Sequence, residues 1–195
     1  MSRARLENFT DAVLAILTTI LVLDLKAPSF SGSATVGDYF QAFGPLWPKF
    51  FSFTLSFVVL AVYWINHHYF FRYVEKVTTK VLWLNILLLF IISFIPFSAS
   101  LLGSHLDGLF PIVFYATNTL LAATSFYFLR SYVYRNKLYS CNDIDAIKTF
   151  GPWKSLPGII VSLLAIFTAF MSPYVALFFL ALYPVIYGVP EKLFR

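Results

Sequence analysis

Long apolar runs occupy most of the chain, and their lengths constrain its fold more than any other feature. A helix needs about 20 mostly apolar residues to cross a bilayer, and the first four runs are each close to this length. The last run, 157–188, is too long for one simple span and is interrupted by "SPY" at Ser172–Tyr174. Proline disrupts a helix interior but suits the first turn of the next helix, so this run predicts two short helices. The pattern therefore predicts six spans in a single transmembrane domain over residues 1–195, at approximately 5–25, 48–71, 79–102, 107–133, 156–171 and 173–188.

The composition indicates the same class of protein. The chain is 59% hydrophobic and only 12% charged, whereas soluble domains carry about 25% charged residues. The longest polar stretch, 135–154, has the length of a loop rather than of a domain. We therefore expect an all-α integral membrane protein embedded in the lipid bilayer, with no separate soluble domain.

Six spans distribute the basic residues unevenly, as the positive-inside rule expects. Of the 14 lysines and arginines, only Lys26 and Lys49 fall in loops on the outer side. Both termini of this multi-pass chain are therefore expected in the cytoplasm. A five-span arrangement would move only Lys192 and Arg195 across the membrane, so the charges constrain the sixth span least.

The residue patterns that several other functions require are missing from the sequence. No carboxylate pair, Ser/His/Asp pattern or Cys/His nucleophile site occurs at a shared depth, so the chain is not expected to be an enzyme. The three histidines have no metal-ligand spacing, and Cys141 is the only cysteine. The basic residues are scattered through the inner loops rather than gathered into a nucleic-acid surface. We expect no cofactor, no metal site and no nucleic-acid partner.

The stretch Thr35-Val36-Gly37-Asp38 in the first outer loop resembles the TVGYG sequence of a carbonyl selectivity filter. Such a filter has to be presented at membrane depth by a preceding pore helix. The eight residues that follow the first span, "KAPSFSGS", cannot form that helix because they contain proline, glycine and three serines. We therefore interpret this stretch as a polar outer loop.

The first span carries an apolar stripe on one face. At 100° per residue, Phe9, Ala12, Ile16, Thr19 and Leu23 fall within about 80° of one another. Asp11 falls about 140° from Ile16 and is expected to face other helices of its own subunit. If the stripe lined a pore, Asp11 would support the pore helix from behind.

Polar residues inside spans are functional candidates, although they also serve as contacts between helices. Trp64 and His68 are four residues apart and share a face of the second span. His68 lies at the same depth as Asp11, so a contact between them is sterically reasonable, and Asn85 lies early on the third span. These residues predict either a buried network that fixes the subunit geometry or a relay for protons or ions. His67, on a different face, is expected at the membrane interface.

Three stretches resemble one family of ion channels. The segment RLENFTD at 5–11 resembles the R-x-x-x-F-S-D signature of the lysosomal-type potassium channels, the transmembrane protein 175 family. YWINHHYFF at 63–71 is similar to that family's second-helix W-x-x-H-H stretch, and 82–103 is similar to its third helix, with Asn85 early and Pro96-Phe97 late. Thr10 stands where the family usually has serine and keeps the hydroxyl group.

The resemblance implies a prokaryotic plasma-membrane channel, a homotetramer of six-helix subunits around a central pore lined by the first helix. It implies that K⁺ permeates with modest preference over Na⁺, past a hydrophobic constriction at Ile16, a selectivity position at Thr19 and a further apolar ring at Leu23. It also implies a network that braces the first helix against the second and third. The residues of that network are Arg5, Phe9, Thr10, Asp11, Trp64, His68 and Asn85.

Two other functions remain open from the residues alone. A proton-coupled secondary transporter would use Asp11 and His68 as a relay, although the chain lacks the internal repeat and broken helix pair typical of transporters. A membrane scaffold that transports nothing would use the apolar stripe for ordinary packing.

Overall fold

A computed structural model describes residues 2–30, 32–140 and 151–188. Three of the residues weighed above, Cys141, Lys192 and Arg195, lie outside these ranges. In the described part of the chain the architecture is all-helical, with one isolated bridge between Val74 and Tyr139. Its eight α-helices are α1 (Arg3–Ile20), α2 (Val36–Phe43), α3 (Trp47–Tyr73), α4 (Thr79–Ile92), α5 (Ile95–Ser104), α6 (Leu109–Arg135), α7 (Leu156–Ala169) and α8 (Pro173–Gly188).

Within the described ranges, five helical segments are long and apolar enough to cross a membrane, and a shorter apolar helix follows them. The first segment is α1 with the 3₁₀ turn Leu21–Asp24 at its end, and the third combines α4 and α5. The chain turns at Phe170 and Met171, between α7 and α8, and α8 begins at Pro173 within the predicted SPY interruption. The all-helical membrane fold with five to six spans is thereby confirmed.

The third span is broken near its middle. α4 ends at Ile92 and α5 begins at Ile95, with Pro96 in its first turn, because proline cannot donate a backbone hydrogen bond within a helix. In the amide orientation that satisfies its hydrogen bonds, Asn118 of α6 donates to the Ile91 carbonyl at 2.9 Å and accepts from the Ile95 amide at 3.2 Å. A side chain thus replaces backbone bonds that the break removes, as a span in lipid requires.

The segment interpreted above as a polar outer loop contains a short helix, α2, over Val36–Phe43. The Thr35 hydroxyl accepts from the Asp38 amide at 3.3 Å, and the Asp38 carboxylate accepts from the Thr35 amide at 2.7 Å. This reciprocal capping box stabilises a helix start. The TVGD sequence is therefore a helix cap, and the residues described before it, 25–30 and 32–34, contain no pore helix.

The helices pack around α6, which contacts α4, α5, α7 and α8. The long helix α3 packs on α5, α8 and α1. α1 lies at the edge of this bundle and packs on α3, with smaller contacts to α4 and α5. One side of the first span is therefore buried within the subunit, and its opposite side is left to face something else.

Candidate functional site on the first span

The first span has one buried face and one exposed face. The buried face consists of Leu6, Thr10, Leu14, Leu17 and Leu21. The predicted stripe lies on the other side, with Phe9 51% exposed, Ile16 58% and Leu23 72%. At 100° per residue the centres of the two faces are about 140° apart. Large apolar side chains in a row without cover from their own subunit mark a surface for lipid, for another subunit or for a pore.

Thr19 is exposed on the same stripe, one turn from Ile16. Its hydroxyl donates to the Ile16 carbonyl at 2.8 Å, so the hydroxyl proton is engaged within the helix. The lone pairs of a hydroxyl oxygen remain available as acceptors when its proton is donated. The Thr19 oxygen therefore keeps its acceptor capacity on the exposed stripe.

On the buried side of α1, a row of hydrogen-bonded polar side chains joins three helices. The Asn85 amide of α4 donates from Nδ2 to the Thr10 hydroxyl of α1 at 3.0 Å. Its Oδ1 lies 2.8 Å from Nε2 of His67 on α3, and because Oδ1 can only accept, His67 donates from Nε2. All three side chains are buried. A buried polar group left unpaired costs about 1–3 kcal/mol. These hydrogen bonds therefore specify one arrangement of the three helices.

The structure places His67, not His68, in this network. His67 is buried and stacks on Phe71 with ring centroids 4.4 Å apart, whereas His68 is exposed. The inward face of α3 runs through Leu60, Tyr63, His67 and Phe70, at intervals of three and four residues, so position 68 falls outside it. The expectation that His68 joins the network and that His67 lies at the interface was wrong, because the face of α3 that packs inward carries position 67 and not position 68.

Asp11 is tied to α3 through Trp64. The Trp64 indole donates from Nε1 to Asp11 Oδ1 at 3.0 Å. His68 contacts the same indole, with ring centroids 6.4 Å apart, but no described hydrogen bond joins it to Asp11. Asp11 is therefore bonded within its own subunit by an exposed contact, and its partner is Trp64 rather than His68.

Two contacts brace α1 within the subunit: the hydrogen bond of Thr10 to Asn85 and that of Asp11 to Trp64. Arg5 and Phe9 lie on the exposed side of α1, away from these braces. Among the described residues, Arg3 makes the contacts that the sequence analysis attributed to Arg5. Its Nη1 donates to the Arg72 and Val74 carbonyls at 3.3 and 3.4 Å, and its Nε donates to Glu7 at 3.2 Å. Carbonyls at a helix C-terminus attract cations. The sequence signal for this contact is a basic residue at the start of α1. Predicting the contact from it would have required knowing that the start of α1 lies beside the end of α3.

Comparison with known proteins is consistent with this geometry. The model of the family "Endosomal/lysosomal potassium channel TMEM175" matches residues 5–96, which contain the stripe and both braces. A protein of Chryseobacterium sp. (strain P1-3), named a potassium channel, is 33% identical over 192 residues, covering 98% of this chain and 95% of its own. A potassium channel of Streptomyces collinus is 36% identical over 102 residues, covering 52% of this chain and 48% of its own.

A solved structure has the same fold. The crystal structure of a lysosomal potassium-selective channel TMEM175 homolog from Chamaesiphon minutus superposes with a TM-score of 0.80 at 27% identity, covering 95% of this chain and 96% of that one. The similarity therefore extends to the second half of the chain, beyond the residues that the family model matches.

Proposed function

The chain belongs to the endosomal/lysosomal potassium channel TMEM175 family, and we propose that it is itself a potassium channel whose subunits surround a central pore lined by α1. The observation that carries this proposal is the row of large apolar side chains on α1 that its own subunit leaves exposed. In a pore-lining helix, the face opposite the intrasubunit packing is the one that meets the permeating ions.

Ile16 forms the constriction in this proposal. A ring of isoleucine side chains repels water and can close a pore by dewetting. Leu23 forms a second apolar ring about 10 Å further along the helix, at 1.5 Å per residue. Thr19 lies between them and supplies hydroxyl oxygens that replace part of the water lost by the ion. Such a pore, without a carbonyl filter, discriminates modestly between K⁺ and Na⁺.

The polar braces fix the pore helix in this scheme. The bonds from Thr10 and Asp11 attach α1 to Asn85 and Trp64 on its neighbours. They hold the stripe in one rotation about the helix axis. The Asp11 carboxylate thus serves to position α1, while the face of α1 that is exposed to ions stays apolar.

The assembly and its orientation are part of the proposal. The family resemblance supports a homotetramer in the plasma membrane of a prokaryote, and the distribution of basic residues supports cytoplasmic termini. Among the described basic residues, those on the inner side include Arg72, Lys76 and Lys80, from the last turn of α3 to the first turn of α4. On the outer side, Lys26 lies between the first span and α2, and Lys49 lies in the first turn of α3.

A flux assay on purified protein in liposomes tests the function, with K⁺ and Na⁺ gradients compared. We expect passive flux that favours K⁺ and that changes with Ile16→Asn. Val22→Asn is the matched control, because Val22 is half-exposed in the 3₁₀ turn that follows α1 and points about 120° away from Leu23 of the stripe. Flux that appears only with a pH gradient would favour the transporter, and no flux from any variant would favour the scaffold.

A further inference from the structure

One face of α4 carries exposed side chains along most of its length. Lys80, Trp83, Leu87 and Phe90 are all exposed, and at 100° per residue they fall within about 80° of one another. Asn85, which bonds to α1, lies about 160° from Trp83 around the helix. The exposed face of α4 therefore points away from α1 and from the pore proposed along it.

This face borders a seam between α4 and α6, which pack against each other. Where α4 begins, the Lys80 ammonium lies 5.0 Å from the centre of the Tyr132 ring of α6. In the described part of the chain, no carboxylate lies within 4.0 Å of this ammonium, and neither α4 nor α6 contains an acidic residue. An ammonium group has three hydrogen-bond donors. The seam therefore carries a positive charge at one end that can accept an anionic partner.

A cavity of about 240 Å³ lies further along the same seam, at the break between α4 and α5. Phe90 and Phe94 line it on one side, and Leu121 of α6 lines it on the other. Its polar lining residues are Thr117 and Asn118, and the Asn118 amide is already bonded to the backbone at the break. Apolar cavities of about 150 Å³ bind benzene. This cavity therefore has room for part of a hydrocarbon chain.

The spacing of the charge and the cavity matches half the thickness of a bilayer. From Lys80 to Phe90 the helix rises about 15 Å, and the hydrocarbon core is about 30 Å thick. With Lys80 at the membrane surface, the cavity lies near the middle of the bilayer, at the depth that an acyl chain reaches. Trp83 lies one turn from Lys80, and tryptophan is enriched at the headgroup level. The seam is thus complementary to a lipid with a negative headgroup.

We propose that one anionic phospholipid binds along the α4–α6 seam, with its phosphate group at Lys80 and one acyl chain in the cavity beside Phe90. Basic groups between membrane helices on the cytoplasmic side bind anionic headgroups in this way. In the orientation proposed above, the lipid belongs to the inner leaflet. The binding requires no ion conduction and is independent of the proposed function.

Two variants separate the headgroup contact from the chain contact. Lys80→Gln removes the charge, and Arg72→Gln is its control because Arg72 is an exposed basic residue at the same end of the subunit, on α3 and outside the seam. Leu121→Trp fills the cavity from a half-exposed position. Leu163→Trp is its control, because Leu163 is a partly exposed leucine on α7.

The measurement is native mass spectrometry of the delipidated protein in detergent, titrated with dioleoyl phosphatidylglycerol or dioleoyl phosphatidylcholine. The spectra report both the lipids bound per subunit and the mass of the oligomer. We expect the wild type to bind one phosphatidylglycerol per subunit more tightly than it binds phosphatidylcholine. Lys80→Gln should weaken phosphatidylglycerol binding about fivefold and leave phosphatidylcholine binding unchanged. Leu121→Trp should weaken the binding of both lipids, and the two controls should behave as the wild type.

The lipid site would be overturned by a Lys80→Gln protein that binds phosphatidylglycerol as the wild type does, or by an equal loss in Arg72→Gln. Unchanged lipid binding by Leu121→Trp would also overturn it. Dissociation of the Leu121→Trp oligomer would assign the seam to a second copy of the chain instead of a lipid.

Discussion

Trp64 donates a hydrogen bond from its indole Nε1 to Asp11 Oδ1 at 3.0 Å and so joins the third helix of the chain to the first. The acceptor is a carboxylate, and hydrogen bonds to charged groups are stronger than neutral ones. The bond lies on the flank of α1, between its buried face and its exposed stripe. It is therefore placed to set the rotation of α1, and through it the direction in which Ile16 points.

Removing this bond is expected to weaken the assembled protein. Asp11→Ala and Trp64→Phe should each lower the stability of the oligomer, by roughly 1–2 kcal/mol for the lost charged hydrogen bond. The double variant should lose little more than the worse single variant, because both remove the same interaction. The loss is measured as the fraction of oligomer that survives heating, followed by size-exclusion chromatography.

Trp83→Phe is the control for the tryptophan substitution, since Trp83 on α4 is 67% exposed and has no described hydrogen bond. It should behave as the wild type. Strictly additive losses from Asp11→Ala and Trp64→Phe would show that the bond does not couple the two helices.

Among the buried, hydrogen-bonded side chains of Thr10, His67 and Asn85, substitution of Asn85 is expected to destabilise the protein most. Asn85→Leu would leave both the Thr10 hydroxyl and the His67 ring without their partner, at about 1–3 kcal/mol for each buried polar group. Thr10→Val removes only one of the two bonds and should cost less. Thermal unfolding followed by tryptophan fluorescence gives the order of these variants.

Asn66→Leu provides the comparison for Asn85, because the Asn66 amide bonds only to the Val62 carbonyl of its own helix. Its effect should be small. The central role of Asn85 would be contradicted if Asn66→Leu destabilised the protein as much as Asn85→Leu, or if Thr10→Val destabilised it more than Asn85→Leu.

The sequence specified the spans and the faces of α1 well, because both follow from local quantities. Apolar run length and proline positions located the turn before α8, and a 3.6-residue period separated the exposed row containing Ile16 from the buried leucines. The break after α4 was also visible at Pro96. These features need no knowledge of which helices are neighbours.

Features that depend on contacts between helices were harder to predict. His67 and His68 are adjacent in sequence, and only the packing of α3 decides which of them is buried. The partner of Asp11 depends likewise on which α3 side chain reaches α1, and the contact of Arg3 depends on the meeting of two helix ends. The helix at Val36–Phe43 was not predicted either, although Thr35 and Asp38 have the spacing of a capping box.

Thr19 is expected to influence selectivity rather than assembly. Thr19→Val keeps the shape of the side chain but removes the oxygen that faces the stripe, so the preference for K⁺ over Na⁺ should fall while the oligomer remains intact. The reversal potential under K⁺/Na⁺ gradients measures this preference. Thr18→Val is the matched control, because the Thr18 hydroxyl bonds to the Leu14 and Ala15 carbonyls and its side chain is half-buried away from the stripe. Equal reversal potentials for Thr19→Val and the wild type would remove Thr19 from the selectivity site.

The proposed constriction at Ile16 leads to a different kind of prediction. Its substitution should increase flux, whereas substitutions in the braces should decrease stability. Ile16→Ala should raise the passive K⁺ flux, because a shorter side chain widens the ring and lowers the cost of wetting it. Assembly should be unchanged, since Ile16 is exposed and is not part of the packing within its subunit. Val22→Ala removes a similar amount of apolar surface from the 3₁₀ turn after α1, off the stripe, and its flux should equal that of the wild type. Flux in liposomes, normalised to the amount of intact oligomer, distinguishes a wider pore from a change in protein amount. An assembled Ile16→Ala channel that conducts poorly would place the constriction elsewhere on α1.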